Sequence, residues 1–322
     1  MLSPMRTIFL VGPTAVGKSA VALELAERLG AEIVSADSMQ VYRGLDIGTA
    51  KPTLAERSCV LHHLIDICDP GEVFDVKRYV GLAQAAIASC KTALVVGGTG
   101  MYIRALRRGL FDGPSRDVEL RARLEAMTAA ELFGELQRLD PQTAARIDRQ
   151  NPRRLVRALE VFHATGKPIS ELQTQWPVEQ ASRLFDSGPA NRRDACSTIF
   201  CLTRERSDLV ARIERRIDAQ IASGWLDEAR RLDERLCHIN VIAMTSKWTA
   251  LQAAGYRELI AHLRGEFTLA EAVALIKTRT RQLAKRQMTW FRHEPGVRWI
   301  AVAADEPPTT TAERILEELK TS

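Results

Sequence analysis

The string GPTAVGKS, Gly12 to Ser19, follows the apolar run TIFLV and opens the helically spaced stretch KSAVALELAERLG. No other feature limits the fold of this chain as strongly. The string fits G-x-x-x-x-G-K-[ST], a glycine-rich turn set between a strand and a helix. In such a turn the backbone N–H groups point inward, and the helix N-terminus adds a potential that favours an anion. The cradle is assigned to Gly12, Pro13, Thr14, Ala15, Val16, Gly17, Lys18 and Ser19. Lys18 supplies a mobile positive charge and Ser19 a hydroxyl suited to Mg2+. The cargo could be a nucleotide whose terminal phosphate is transferred or hydrolysed, or a phosphate group that is discarded.

The flanks fit a parallel sheet. Thr7–Val11 reads as a buried strand, Val21, Leu25 and Leu29 mark one helix face, and Gly30 stops the helix. A second strand, AEIVSA, ends at Asp37, where parallel sheets hold their ligands. A carboxylate there can bind Mg2+, accept a proton or simply close an Asx turn. Asp75 caps a helix running through Ala88, and TALVVGGTG gives a third strand ending in Gly97, Gly98, Thr99 and Gly100. No Walker-B aspartate stands at that strand end, which argues against a motor-type ATPase and leaves small-molecule kinases and other phosphate-ester enzymes. The glycines there read as a place where backbone approaches a ligand.

Past Asp112 the texture becomes helical and rich in Arg, Leu and Ala; in NPRRLVRALEVFHATGKP, Pro152 suits a first turn and Gly166 a stop. STIFCL returns to the sheet, and the remainder reads as helices, with a Thr268/Glu271 capping box opening the run to about Phe291. The expected architecture is α/β: a P-loop NTPase-like parallel sheet core with a helical insertion domain and C-terminal helices. The expected domains are residues 1–112 for the first part of the core, 113–195 for the insertion, and 196–322 for the rest of the core with the basic helices.

Charge narrows the class further. The net charge is +5, and the segment from Thr268 to Trp299 alone carries seven cations against two acids, equal to the whole excess. With a pI near 9.0, that concentration is the footprint of a polyanionic partner, a solvated helix face being the plainer reading. Basic residues beside Trp290 and Phe291 combine phosphate contact with a stacking surface for bases, or with a buried anchor. Arg212 and Arg216 share one helix face, and their neighbours Glu214 and Asp218 favour surface pairing over a phosphate clamp. The six cysteines form no C-x-x-C pair and read as small buried hydrophobes. No apolar run approaches a membrane span, and the N-terminus runs straight into the phosphate loop, so a cytoplasmic protein is expected.

On these residues the sequence resembles the tRNA dimethylallyltransferase family. The strings GPTAVGKS, IVSADSMQVYRGLDIGTAKP, HHLIDICDP, VGGTGMY, NPRRLVRALEV, GYRE and RQLAKRQMTWFR occur in the family's order. The resemblance implies transfer of a dimethylallyl group from its diphosphate to N6 of the adenine 3′-adjacent to the anticodon, with Mg2+ as cofactor. The alternative is a P-loop small-molecule kinase, which has no need of the basic C-terminal helix. By motif, Asp37 is implied as general base, Gly12–Ser19 as the diphosphate site with Ser19 placing Mg2+, and Arg216 as a diphosphate ligand. Thr99 is implied as a tRNA or diphosphate contact. Asp37, Ser38, Met39 and Gln40, with Arg121 and the run Arg153, Arg154, Leu155, Val156 and Arg157, fall on segments implied to touch the tRNA anticodon stem-loop. So do Gln252, Gly255, Tyr256 and Arg257, and Lys285, Arg286, Gln287, Met288, Thr289, Trp290, Phe291 and Arg292. A monomer without membrane contact is expected. Between Leu236 and Trp248 the sequence LCHINVIAMTSKW departs from the family's shorter, proline-containing approach to GYR.

Overall fold

The computed structural model describes residues 6–109, 113–114, 117–173, 198–238 and 250–321. Two compact units divide the chain: Met1–Arg107 with Leu184–Ser322, and Arg108–Arg183.

In the first unit, strand β1 (Arg6–Val11) feeds the phosphate loop and helix α1 (Lys18–Leu29). Gly30, left-handed at φ 57°, ends α1 and returns its N–H to the helix carbonyls. Strand β2 (Glu32–Ser35) follows, then α2 (Leu54–Cys59), opened by a Thr53/Glu56 capping box, and the two-residue strand β3 (His62–His63). Helix α3 (Val76–Ser89) is capped by Asp75, whose side chain accepts from Arg78 N. Strand β4 (Thr92–Gly97) leads into α4 (Gly100–Arg108).

The second unit is helical: α5 (Val118–Glu125), α6 (Ala129–Leu139), α7 (Pro141–Ala144), α8 (Pro152–Thr165) and α9 (Ile169–Gln173). The expected Pro152 start and Gly166 stop of α8 hold, with Asn151 capping Arg154 N and Gly166 at φ 69°. Leu132, Leu136, Leu155, Val156 and Leu159 lie at the centre of this unit's core. Glu160 is fully buried there and accepts from Arg157 Nη1 at 3.0 Å and Arg121 Nη1 at 3.4 Å.

The chain returns to the first unit with β5 (Thr198–Thr203), α10 (Arg206–Ala222) and α11 (Trp225–His238). Then come α12 (Tyr256–Leu263), the 24-residue α13 (Leu269–Arg292), β6 (Val297–Ala301) and α14 (Pro308–Lys320). The expected Thr268/Glu271 capping box opens α13. The six strands form one sheet in the order β3-β2-β4-β1-β5-β6, all parallel. Parallel strands need covered faces. On one face Ile8 and Leu10 of β1 pack with Leu25 of α1 and with Ile315 and Leu319 of α14. Two strands, β3 and β6, and the short helix α2 were not among the sequence expectations. Both strands lie at the sheet's edges, where one neighbour suffices and the sequence pattern is weakest. Of the cysteines, Cys68, Cys90 and Cys201 are buried as expected, whereas Cys59 and Cys237 are exposed.

Candidate active site

A parallel sheet collects the carboxyl ends of its strands on one edge. Here that edge brings together the phosphate loop after β1, Asp37 after β2, Gly98 and Thr99 after β4, and Arg204 after β5. The loop turns through positive φ at Gly12 (147°), Ala15 (64°) and Gly17 (110°). Lys18 folds over it, Nζ donating to Gly12 O at 3.0 Å and to Pro13 O at 2.8 Å. Burial pushes the Lys18 ammonium down to about 8, opposed by the Asp37 carboxylate and aided by the charge of Arg216.

Three arginines surround the loop. Arg204 Nε donates to Val16 O at 2.9 Å, Arg212 Nε to Ala15 O at 3.0 Å, and Arg216 Nη2 to Thr14 Oγ1 at 2.6 Å. This overturns the surface pairing favoured from the residues of α10 alone. Glu214 and Asp218 are occupied from α13, by Arg281 at 2.6 Å and Lys277 at 2.7 Å, so Arg212 and Arg216 turn to the loop. The Arg216 Nε–H is buried and has no partner among the described residues, and burial holds the guanidinium below its usual range. An unpaired buried donor beside a phosphate loop is half of an interaction whose other half is an anion.

Asp37 closes an Asx turn through Met39 N (2.8 Å), and the Ser38 N–H donates to Thr99 Oγ1 (3.1 Å). The glycines after β4 serve a purpose the sequence did not indicate. A Cβ on Gly97 would lie 2.2 Å from Ala36 O, on Gly98 2.3 Å from Gln287 Nε2, and on Gly100 2.2 Å from the Trp290 ring. They admit β2 and α13, and Gly98 and Gly100 also line cavity wall. Gln287 spans the resulting gap, accepting from Thr14 N at 2.8 Å and donating to Gly98 O at 3.1 Å.

Two cavities meet here. One, of about 570 Å³, is lined by Lys18, Ser19, Lys51, Arg212 and Arg215. The other, of about 310 Å³, is lined by Met39, Thr99, Trp225, Ala253, Arg286 and Trp290. Thr14, Asp37, Thr49, Gly98, Arg216, Leu283 and Gln287 line both. The wall at Gly48 and Thr49 is set from α11, by a residue the sequence reading missed. Buried Glu228 accepts from the backbone N–H of Asp46 (2.8 Å), Ile47 (2.8 Å) and Gly48 (3.0 Å), and from the Tyr256 hydroxyl (2.6 Å). Trp225 packs edge-to-face on Tyr256. Nothing in WLDEARRLDERL marks Glu228 out from the other acids of that helix.

The segments implied to touch RNA divide accordingly. Leu155 and Val156 are core residues of the helical unit, and Tyr256 and Phe291 are fully buried in the first unit. Helical periodicity turns these four inward, so they support their segments and offer no contact surface, a correction of the residue-level expectation. Gly255 is likewise buried, beneath the Trp225 ring. Gln40 braces the loop, Nε2 donating to Thr49 O and Ala50 O, while Arg121 and Arg157 engage Glu160. Arg153, Arg154, Arg257, Lys285, Arg286, Thr289 and Arg292 are exposed, and Met288 is half-buried. The side chain of Gln252 and all of residues 239–249, most of the divergent stretch, lie outside the described residues.

Ser19 is exposed on the larger cavity, and Asp37 reaches it from β2. One hydroxyl and one carboxylate suit a Mg2+ held mainly by phosphate oxygens and water, the usual habit of that ion. Fold and site together define a phosphate-loop α/β protein whose anion cradle opens, at a carboxylate, onto a second cavity walled in part by aromatic rings.

Comparison with known proteins gives that class its family. The IPP transferase family model matches residues 40–294, and an isopentenyl transferase model matches residues 5–63. The tRNA dimethylallyltransferase 1 of Trichlorobacter lovleyi is 44% identical over 304 residues, covering 92% of this chain and 93% of its own. That of Syntrophobacter fumaroxidans is 46% identical, covering 92% and 83%. The crystal structure of the tRNA isopentenylpyrophosphate transferase of Bacillus halodurans matches with a TM-score of 0.67 at 36% identity, over 98% of this chain and 97% of that one. A eukaryotic dimethylallyltransferase, captured acting on tRNA, matches with a TM-score of 0.80 at 25% identity, over 98% and 80%. The chain belongs to the tRNA dimethylallyltransferase family, the IPP transferases, and is a prenyl-group transferase.

Proposed function

We propose that this protein transfers the dimethylallyl group of dimethylallyl diphosphate to N6 of the adenine 3′-adjacent to the anticodon of tRNA, releasing diphosphate. The observation that carries the reading is the meeting of the two cavities at Asp37, between Thr14 and Arg216. The relatives' names and the eukaryotic structure captured acting on tRNA support the same acceptor.

The chemistry follows from the donor set. An exocyclic adenine amine is a poor nucleophile because its lone pair is delocalised into the ring. The amine attacks the allylic carbon as that carbon's bond to the diphosphate oxygen breaks, and the electron pair leaves with the diphosphate. Asp37 takes the N6 proton as the new C–N bond forms, which removes positive charge from the nitrogen. The phosphate-loop amides, Lys18, Arg212 and Arg216 receive the departing anion, and the buried Arg216 Nε–H, without a partner among the described residues, is a donor available to it. Mg2+, held by Ser19 and the diphosphate, would neutralise part of that charge. The adenine must leave the stack of its loop to enter the smaller cavity, which half-buried Trp290 and buried Trp225 help to line. In the first unit the exposed cations Lys285, Arg286 and Arg292 are suited to phosphate contacts that secure the extruded loop, and in the second unit exposed Arg153 and Arg154 suit phosphate contacts of their own. No helix among the described residues is long and apolar enough to cross a membrane.

The test is incubation with labelled dimethylallyl diphosphate, Mg2+ and unmodified tRNA, with labelled ATP in parallel. Label entering RNA only from the prenyl donor supports the reading; phosphoryl transfer from ATP to a small acceptor, with none to RNA, would return the kinase.

A further inference from the structure

The donor's allylic carbon must lie where Asp37, Thr14 and Arg216 come together, because the nucleophile, base and leaving group meet only there. A diphosphate has no use for an apolar wall at that point, but the hydrocarbon it carries does. Among the described residues that line both cavities, Leu283 is the one with an apolar side chain; the rest are polar, charged or glycine. The phosphate-side cavity is otherwise walled by charged and polar side chains and glycines, its other apolar groups being the small side chains of Ala15, Ala20, Ala50 and Pro52.

Leu283 is also held in place. It lies one turn before Gln287 on α13, hence on the same helix face. Gln287 ties that face to Thr14 N on one side and Gly98 O on the other. Thr280, three residues before Leu283, is buried and lines the smaller cavity. The helix therefore cannot slide to present another residue at the junction without breaking both Gln287 hydrogen bonds.

We infer that Leu283 is the residue that gauges the length of the transferred isoprenoid. It seats the five-carbon group against the diphosphate and blocks a longer chain, which would have to cross the junction into the space that receives the base. The inference rests on the donor being an allylic diphosphate, as proposed above. Truncating Leu283 opens apolar room at the junction while leaving the cradle, Asp37 and Gln287 in place.

The experiment measures kcat/KM for dimethylallyl diphosphate and for the ten-carbon geranyl diphosphate. Mg2+ and an unmodified anticodon stem-loop are present, and products are identified by nucleoside mass. Leu283→Ala is expected to shift the ratio of the two toward geranyl by about tenfold or more, with Leu283→Val part of the way, since a methylene in an apolar pocket discriminates on that scale. Leu283→Phe is expected to slow dimethylallyl transfer while inorganic diphosphate still competes with unchanged affinity. Inorganic diphosphate binding also reports folding, and if the alanine variant loses it, the valine variant decides. A ratio that stays constant in variants that still bind diphosphate overturns the gauge. A wild type that transfers neither group to RNA overturns the donor assignment itself, and the gauge with it.

Discussion

The two cavities that meet at Asp37 are built by opposite means. The phosphate side is centred on one contiguous loop, Gly12–Ser19, whose backbone turns through its own positive φ angles, with Lys51, Arg212, Arg215 and Arg216 gathered around it. The base side is assembled from the turns after β2 and β4 with α10, α11 and α13, and its wall is held at residues 46–48 by buried Glu228 and at 49–50 by Gln40. A local motif tolerates damage elsewhere in the fold, whereas a wall made of distant pieces depends on each fastening. Mutations should therefore separate the two sides.

The largest effect is expected at the junction. Asp37→Ala should lower kcat by about 10²- to 10⁴-fold, the usual worth of a general base, while tRNA and inorganic diphosphate still bind. Single-turnover transfer beside a gel shift checks it, and near-wild-type turnover would remove Asp37 as the base. Next, Arg216→Ala should cost about 10²- to 10³-fold in kcat/KM for the donor, with a parallel loss of inorganic diphosphate affinity. Arg216→Lys should restore little, because one ammonium cannot both bond Thr14 Oγ1 and replace the Nε–H.

Glu228→Ala sharpens the contrast. It strands three backbone N–H groups and a tyrosine hydroxyl, and should cost about 3 kcal/mol of stability, read from the urea midpoint. Transfer should fall with it, yet inorganic diphosphate affinity should remain near wild type below the unfolding transition. Equal loss of both would mean that the cradle is not self-sufficient.

The smallest effect is one of pH. Lys18 titrates near 8 in the fold against 10.5 for an ordinary lysine, so its charged form is disfavoured by burial. The cost to stability is present below about 8 and is relieved between about 8 and 10.5, where the unfolded chain binds more protons. Diphosphate prefers the charged lysine, so above pH 8 its binding must take up a proton. Affinity should then fall by up to about tenfold per pH unit, a dependence that Lys18→Arg should abolish. Isothermal titration of inorganic diphosphate in buffers of differing ionisation enthalpy measures that proton directly.

The same contrast governs what could be read before the fold was known. The β1–loop–α1–β2 opening, the Asp75 cap, the Pro152 start with its Gly166 stop and the Thr268/Glu271 box are all near-neighbour effects. Each was legible because its physical cause lies within a few residues. The two edge strands were not, since β6 is mostly half-exposed and alternates weakly. The direction of Arg212 and Arg216 was not legible either. Their acidic neighbours in sequence are claimed by Lys277 and Arg281, which only the packing of α13 on α10 reveals.

By itself the sequence determined that a glycine-rich loop opens a helix N-terminus, that a carboxylate follows the adjoining strand, and that positive charge gathers near the C-terminus. Those properties reside in covalent neighbours and survive any arrangement of the rest. Only the tertiary structure decided that the glycines after β4 make room for Gln287 and Trp290, that Glu228 shapes the wall, and that Leu283 is, among the described residues, the apolar side chain lining both cavities. These depend on side chains up to some 270 residues apart, as Thr14 and Gln287 are, meeting within a few ångströms. No local propensity encodes such a meeting; the closing of the sheet and the docking of α13 impose it.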